Sequence, residues 1–184
     1  MKELSLNILD ITENSVKAGA SLTEISIVEN SETLKLTITD NGCGMDEETV
    51  RGVTDPFYTT RTTRPVGLGL PLLKLQAEQT GGSMSISSES EKVSENHGTR
   101  VEALFFKNHI DFTPLGDVIS TIVTLIQGHP ETDFLFTHIT GEKTVSLDTR
   151  ELRNVLGDVS LAEYEVIKWI EEYLREQYSE DTQN

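Results

Sequence analysis

The chain has 184 residues, a single cysteine and a formal net charge of −16 at pH 7. At roughly 100–150 residues per domain, this length suits one domain plus an extension. The lone Cys43 cannot form an internal disulfide, which excludes a disulfide-stapled secreted scaffold. No apolar run approaches the roughly 20 residues of a membrane span, so we expect a cytoplasmic protein without a membrane partner. The acidic excess argues against nucleic acid as a partner, although it permits one small anionic ligand.

The acidic residues are unevenly distributed. Residues 109–184 carry 15 acidic and 5 basic residues, whereas residues 1–108 carry 16 and 10. We therefore predict a core domain over residues 1–107, an acidic α+β extension over residues 108–178, and a tail over residues 179–184. The extension has apolar periodicity, which disordered acidic segments lack, so we expect it to fold and to dock on the core or on a partner.

The core domain begins with a predicted helix, because Leu4, Ile8 and Ile11 recur at helical spacing. The other predicted core elements are strands at 25–27 and 34–38, a helix over 70–80, and strands at 84–86 and 101–105. This order predicts an α+β fold, a two-layer sandwich with its helices on one face of a mixed sheet.

The extension is predicted to form a helix, a hairpin and two further helices. The first helix follows Pro114, with a stripe from Leu115 to Ile126, and Asp148 and Ser160 each fit a helix-starting capping box. The expected packing residues include Phe134, Phe136, Trp169 and Tyr173.

A first candidate site lies on the N-terminal helix. The i, i+4 spacing of Asp10 and Asn14 puts a carboxylate and an amide oxygen on one helix face, with Lys17 on the same polar strip. Oxygen ligands of this kind can hold Mg²⁺ together with its waters. The alternative is a strip of solvated polar residues.

A second candidate site follows the strand at 34–38. Asp40 at the strand end can accept a hydrogen bond from an exocyclic amine such as that of adenine. Gly42 and Gly44 allow the backbone to run close to a ligand. The alternative is an ordinary Asp-Asn-Gly turn.

Two further segments precede the helix over residues 70–80. Gly67 and Gly69 lie at its start, where free amides and the helix dipole form an anion site. Arg61 and Arg64 in the preceding stretch can close over phosphate oxygens. The segment lacks the Gly-Lys-Ser/Thr ending of a P-loop.

Together these segments resemble the ATP-binding domain of the GHKL superfamily, which includes gyrase-type topoisomerases, heat-shock chaperones, histidine kinases and mismatch-repair ATPases. Glu13-Asn14-Ser15 resembles the N box in its mismatch-repair wording. The run Asp40-x-Gly42-x-Gly44 resembles the first glycine box. Residues 55–61 resemble the F box of histidine kinases, and residues 67–70 the second glycine box.

The resemblance implies a Bergerat-type fold with ATP or ADP and Mg²⁺ as cofactors. It implies that Asn14 coordinates Mg²⁺ and that Asp40 receives the adenine amine. It leaves Asp10, the catalytic candidate, either orienting a water or completing the Mg²⁺ shell. The residues expected to bind the nucleotide are Asn14, Lys17, Asp40, Gly42, Gly44, Met45, Phe57, Thr60, Arg61, Gly67, Leu68, Gly69, Leu70 and Thr99.

Three functions are compatible with this resemblance. The first is a trans-acting kinase that phosphorylates a histidine or serine of a separate protein. We expect no phosphoacceptor hairpin in the chain, because the N-box helix begins at its first residues. The second is an ATPase switch. This function remains an alternative because Asp10 stands where the gyrase-type branch has a glutamate base. The third is a nucleotide sensor without turnover. A homodimer is also compatible with the sequence.

Overall fold

The structure, a computed structural model, describes residues 3–54, 68–141 and 143–179. In chain order, these residues form α1 (Leu4–Lys17), β1 (Leu22–Glu29), β2 (Thr33–Asp40), α2 (Glu47–Gly52), α3 (Gly69–Gln79), β3 (Ser83–Glu89), β4 (Gly98–Phe106), α4 (Val118–Gly128), β5 (Asp133–Thr140), β6 (Lys143–Asp148), α5 (Thr149–Leu156) and α6 (Tyr164–Ser179).

Within the described ranges the strands form one mixed sheet in the order β3-β4-β2-β1-β5-β6. Neighbouring strands are antiparallel except β1 and β5, which are parallel. Ile25 of β1 is therefore paired with Ile38 on one side and with Phe136 on the other. The predicted α+β class with a mixed sheet is confirmed.

The core lies between one face of this sheet and the helices. Paired positions of neighbouring strands share a face, and the row Ile38, Ile25, Phe136 and Leu147 is buried. Helix α1 lies over β1 and β2 and contacts α3 and α4, while α6 packs on α4 and β6. Full burial of each such side chain stabilises the fold by about 1.5–3 kcal/mol relative to exposure.

The start of α4 differs from the predicted one. It begins at Val118 rather than near Leu115, because Gly116 adopts a φ of 78° and Asp117 then caps the helix by accepting a hydrogen bond from the Ser120 amide. The short helix α2 has no counterpart among the predicted elements.

Helix α6 also starts later than predicted. It begins at Tyr164, and the Ser160 hydroxyl accepts from the Ala162 amide in a turn before the helix instead of forming a capping box. Of the four aromatic residues expected to be hydrophobic packing residues, Phe134 and Phe136 are buried. Trp169 and Tyr173 are 48% and 36% exposed, so they do not pack in the core.

Backbone hydrogen bonds cross the predicted boundary at residues 107 and 108. The amides of Leu4 and Ser5 donate to the carbonyls of Pro114 and Leu115 at 2.9 and 2.8 Å, and β5 pairs along the whole of β1. The acidic region is thus docked on the sheet and on α1. The division into two domains stays a prediction.

A buried polar cluster joins β1, β5 and α6 at the end of the sheet opposite Asp40. His138 Nε2 lies 3.0 Å from a Glu29 carboxylate oxygen, and Nδ1 lies 2.7 Å from the Tyr178 hydroxyl. A carboxylate only accepts, so Nε2 donates to Glu29 and Nδ1 of the neutral ring accepts from Tyr178. Lys107 donates to the other Glu29 oxygen at 2.8 Å.

Burial and neighbouring charges together shift the pKa values of this cluster. It lowers the pKa of His138, although Glu29 opposes that effect. Burial by itself raises the pKa of Glu29, but Lys107 and His138 outweigh it and the pKa lies below its usual range. Burial and the Glu29 charge raise the pKa of Tyr178 well above its usual value. The histidine is therefore held neutral between an anion and a hydroxyl.

We expect this arrangement to make the protein less stable as pH falls below about 6.5, the pKa of an unfolded-state histidine. Below that pH the unfolded chain binds a proton that the native His138 does not, so the free energy of unfolding falls by at most about 1.4 kcal/mol per pH unit. Urea unfolding at pH 7.5 and 5.5 should show a smaller loss in His138→Gln than in the wild type. The exposed-site control His109→Gln should keep the wild-type loss. Equal losses in all three proteins would contradict the prediction.

Candidate functional site

Three consecutive residues of α1 point in three directions. Glu13 lies 2.7 Å from His129 Nε2, at the end of α4. Asn14 is exposed on the same strip as Asp10 and Lys17. Ser15 is buried and its hydroxyl donates to Asp40 Oδ2 at 2.7 Å. The helix thereby fixes the exposed strip relative to the end of β2.

Asp40 is held on both carboxylate oxygens. Oδ2 accepts from Ser15, and Oδ1 accepts from the Gly42 amide at 2.9 Å. Each carboxylate oxygen has a second lone pair, so the group can accept a further hydrogen bond from a ligand amine. The side chain is half-buried on the helix side of the sheet.

A row of hydroxyls continues from Asp40 across the sheet. Thr99 is paired with Asp40, and Ser88 is paired with Thr99. Ser88 donates to the Gly98 carbonyl and accepts from the Met45 amide, each at 2.8 Å. The Ser88 hydroxyl has one proton, which it donates to the Gly98 carbonyl. The Thr99 hydroxyl therefore donates to Ser88, also at 2.8 Å. The row ties the loop after β2 to β3 and β4.

Two glycines let backbones approach closely at this place. A Cβ built on Gly44 would lie 1.8 Å from the Glu89 carbonyl oxygen, and one on Gly98 would lie 2.0 Å from the Asp40 carbonyl oxygen. Both have positive φ, 65° and 143°. A side chain at Gly44 would therefore require the Glu89 backbone to move, and one at Gly98 would require the Asp40 backbone to move.

The second end of the site lies where α3 begins. A Cβ built on Gly69 would lie 3.2 Å from Cβ of Asp10 and 3.6 Å from its carboxylate Oδ2. Leu68 precedes the helix and provides no side-chain cap, and Gly69 and Leu70 form its first turn. The N-terminal amides and dipole of α3 therefore lie next to Asp10, one helical turn from Asn14.

The structure thus brings together Asp10, Asn14, Lys17, Asp40, Gly42, Gly44, Met45, Leu68, Gly69, Leu70 and Thr99. Phe57, Thr60, Arg61 and Gly67 lie outside the described residues. Three further residues contribute contacts that were not predicted from the sequence: Ser15 on its own, Ser88, and His97, whose Nδ1 contacts the Gly42 carbonyl. Only the position of Ser15 inside the N box could have indicated its part.

The chemistry of the donors suits a hard cation with retained waters. Asp10 and Asn14 provide one carboxylate and one amide oxygen, fewer than a closed protein cage requires. In the described part of the chain no group of three or more His, Cys, Asp or Glu residues could hold a metal ion. The pair fits Mg²⁺ if phosphate and water supply the other ligands.

Comparison with known proteins assigns the family. The model of the histidine kinase-, DNA gyrase B- and HSP90-like ATPase family matches residues 2–110. The chain belongs to this family. It therefore carries a GHKL ATP-binding domain, as the boxes in the sequence predicted.

The chain is similar to both kinases and mismatch-repair proteins of the family. Sporulation kinase B of Bacillus subtilis is 29% identical over 92 residues, covering 50% of this chain and 21% of the kinase. The DNA mismatch repair protein MutL of Listeria monocytogenes is 28% identical over 183 residues, covering 82% of this chain and 30% of MutL. The chain thus spans less than a third of either relative.

The fold is similar to that of the Aquifex aeolicus MutL ATPase domain complexed with ADP. The TM-score is 0.53 at 17% identity, and the match covers 96% of this chain and 70% of that one. At this identity the likeness shows the fold alone. Separately, none of the described helices is long and apolar enough to cross a membrane.

The close approach at Gly98 gives a direct test of the site's construction. We expect Gly98→Ala to lower the free energy of unfolding by about 1–3 kcal/mol, because the alanine Cβ meets the Asp40 carbonyl and a φ of 143° is strained for alanine. Gly128→Ala is the matched control, since a Cβ there meets nothing within 4 Å. Urea unfolding measures both variants. Equal stability of the two would contradict the close approach.

Proposed function

We propose that the chain binds Mg-ATP and Mg-ADP between α1, the loop after β2 and the start of α3. The observation that carries this proposal is that α1 contacts both ends of the site, through Ser15 with Asp40 and through Asp10 beside Gly69. These two positions lie about 7–8 Å apart along the helix axis. A rigid helix therefore sets the spacing between a base-binding end and a phosphate-binding end.

At the base-binding end, the free lone pairs of Asp40 would accept the adenine amine. Thr99 and Met45 would line the base, and Gly42 and Gly44 would let the chain pass beside it. At the other end, the amides of Leu68, Gly69 and Leu70 would donate to phosphate oxygens. The family resemblance extends this set to Phe57, Thr60, Arg61 and Gly67, with Arg61 neutralising phosphate charge.

Asn14 would hold Mg²⁺ through its amide oxygen, and Lys17 would add positive charge on the same strip. The metal would supply charge neutralisation to the phosphates when bound. Asp10 would hold a water or an acceptor hydroxyl by accepting its proton in a hydrogen bond, since its carboxylate lies at the anion-binding start of α3. Phosphoryl transfer depends mainly on such positioning and charge stabilisation.

We infer that the phosphoryl acceptor belongs to a separate protein, so that the chain acts as a trans-acting kinase, in the cytoplasm. Support comes from the four histidines of the chain. His138 is buried, His97 contacts the Gly42 carbonyl, His129 contacts Glu13, and His109 accepts from the Asp111 amide. Each already has a structural partner in this fold.

An ATP-driven switch is the second candidate. It is favoured by the length of the similarity to MutL, which covers 82% of this chain and so extends into the acidic region, whereas the match to sporulation kinase B covers 50%. In this case Asp10 would orient the attacking water. A nucleotide sensor without turnover would use the same binding residues without a role for Asp10.

Nucleotide binding is expected to depend on Asp40. Asp40→Asn replaces an acceptor-only carboxylate with an amide and should weaken Mg-ADP binding by about 1.5–3 kcal/mol. Isothermal titration calorimetry with and without Mg²⁺ measures the loss. The matched variant Asn14→Ala should keep the adenine contact but lose the Mg²⁺ dependence. Unchanged affinity in Asp40→Asn would remove the adenine assignment, and an undiminished Mg²⁺ effect in Asn14→Ala would remove the metal assignment.

Turnover distinguishes the candidate functions. With γ-labelled ATP and the purified chain alone, a trans-acting kinase should release little phosphate and label none of its own residues. An ATPase switch should release phosphate, and Asp10→Asn should slow that release by about 10²–10⁴-fold, the usual contribution of a general base. Labelling of the chain itself would contradict an acceptor on a separate protein.

A further inference from the structure

The outward face of α6 carries a preformed aromatic pair. The rings of Trp169 and Tyr173 stack with centroids 4.9 Å apart and planes 10° apart. They are 48% and 36% exposed, whereas the buried side of the same helix consists of Ile167, Ile170 and Leu174. The pair therefore contributes little to the core and leaves part of each aromatic side chain exposed to solvent.

Three carboxylates lie along one side of this pair. Glu165 and Glu172 lie four and three residues from Trp169, and Glu176 lies three residues from Tyr173, so each carboxylate neighbours a ring on the helix surface, with the exposed Lys168 beside Glu165 and Glu172. All three are exposed, and within the described ranges none of them has an ion-pair partner. Glu171, on the adjacent side of the helix, is paired with Arg175 at 2.7 Å.

We propose that this surface, defined by Glu165, Trp169, Glu172, Tyr173 and Glu176, docks an arginine-containing basic segment of a partner protein. A guanidinium is attracted to the face of an indole or phenol ring and is weakly enough hydrated to stack there. The adjacent carboxylates complement its charge and attract further basic residues of the segment. Because the rings already stack on each other, little side-chain freedom remains to be lost on binding.

The negative charge of this surface argues against nucleic acid, anionic lipid or a second copy of the chain as its partner. Nucleic acid and anionic lipid headgroups would be repelled by these three carboxylates, which outnumber the exposed Lys168 beside them. A second copy of this chain, docked face to face, would bring six carboxylates together around two aromatic pairs. The surface lies outside residues 2–110, the part matched by the family, and its role does not depend on the proposed nucleotide site.

Trp169 is the single tryptophan of the chain, so its fluorescence reports on this surface directly. The probes are three peptides of equal length that alternate leucine with arginine, with citrulline or with glutamate. We expect the arginine peptide to change the fluorescence of the full chain saturably, with an affinity that falls as salt is raised. The citrulline peptide, which keeps the shape of arginine without its charge, and the glutamate peptide should bind at least tenfold more weakly.

The net charge of −16 could attract a basic peptide anywhere, so matched variants are needed. The triple variant Glu165→Gln, Glu172→Gln, Glu176→Gln should weaken binding of the labelled arginine peptide at least tenfold in fluorescence anisotropy. The control triple variant Glu32→Gln, Glu78→Gln, Glu131→Gln removes the same charge from exposed sites outside α6 and should weaken binding less than threefold.

Four results would overturn the proposal. They are equal weakening in the two triple variants, equal binding of the arginine and citrulline peptides, no saturable binding at all, and a fluorescence change with protein concentration alone, which would indicate self-association through this face. The double variant Trp169→Leu, Tyr173→Leu keeps the charges and should also lose at least tenfold in anisotropy. Circular dichroism confirms that each variant retains its helix content.

Discussion

The architecture depends on β1 being paired along both of its edges. Its antiparallel partner β2 ends at Asp40, and its parallel partner β5 belongs to the acidic region. Because both ladders involve the same backbone, with donors and acceptors committed on either side, the position of the acidic region and the position of Asp40 are fixed relative to each other. A parallel ladder also requires a crossover connection, and α4 lies in that connection where it can pack on α1.

Helix α1 fixes the position of the site residues relative to the sheet and to α4. Its buried side packs on the sheet, Ser15 reaches Asp40, and Glu13 contacts His129 at the end of α4. The exposed strip of Asp10 and Asn14 therefore cannot rotate without breaking contacts on two other faces of the same helix. Preorganisation of this kind is what a site needs when its chemistry relies on positioned oxygen atoms.

Much of the fold could be predicted because it depends on local periodicity. Alternation identified β1 and β2, and the helical stripe identified α1, since each pattern records which side of an element is buried. The parallel pairing of β5 with β1 could not be predicted, because the alternation of apolar residues does not show which strands are neighbours. Helix α2, of six residues, is too short for a stripe. The apolar stripe of α6 indicated an amphipathic helix. Whether Trp169 and Tyr173 belong to its buried side could not be predicted, because that depends on how the helix packs on α4.

The site divides in the same way between local and distant features. The i, i+4 spacing of Asp10 and Asn14 and the turn after Asp40 are local, and the sequence contains both in full. The contacts that hold the site join residues far apart in the chain, such as Ser88 with Met45 and His97 with Gly42. Hydroxyl and imidazole side chains carry no signal for such pairings, since the same residue types serve equally well on any polar surface. These side chains come into contact because the backbones approach closely at Gly44 and Gly98, and that approach exists only in the assembled sheet.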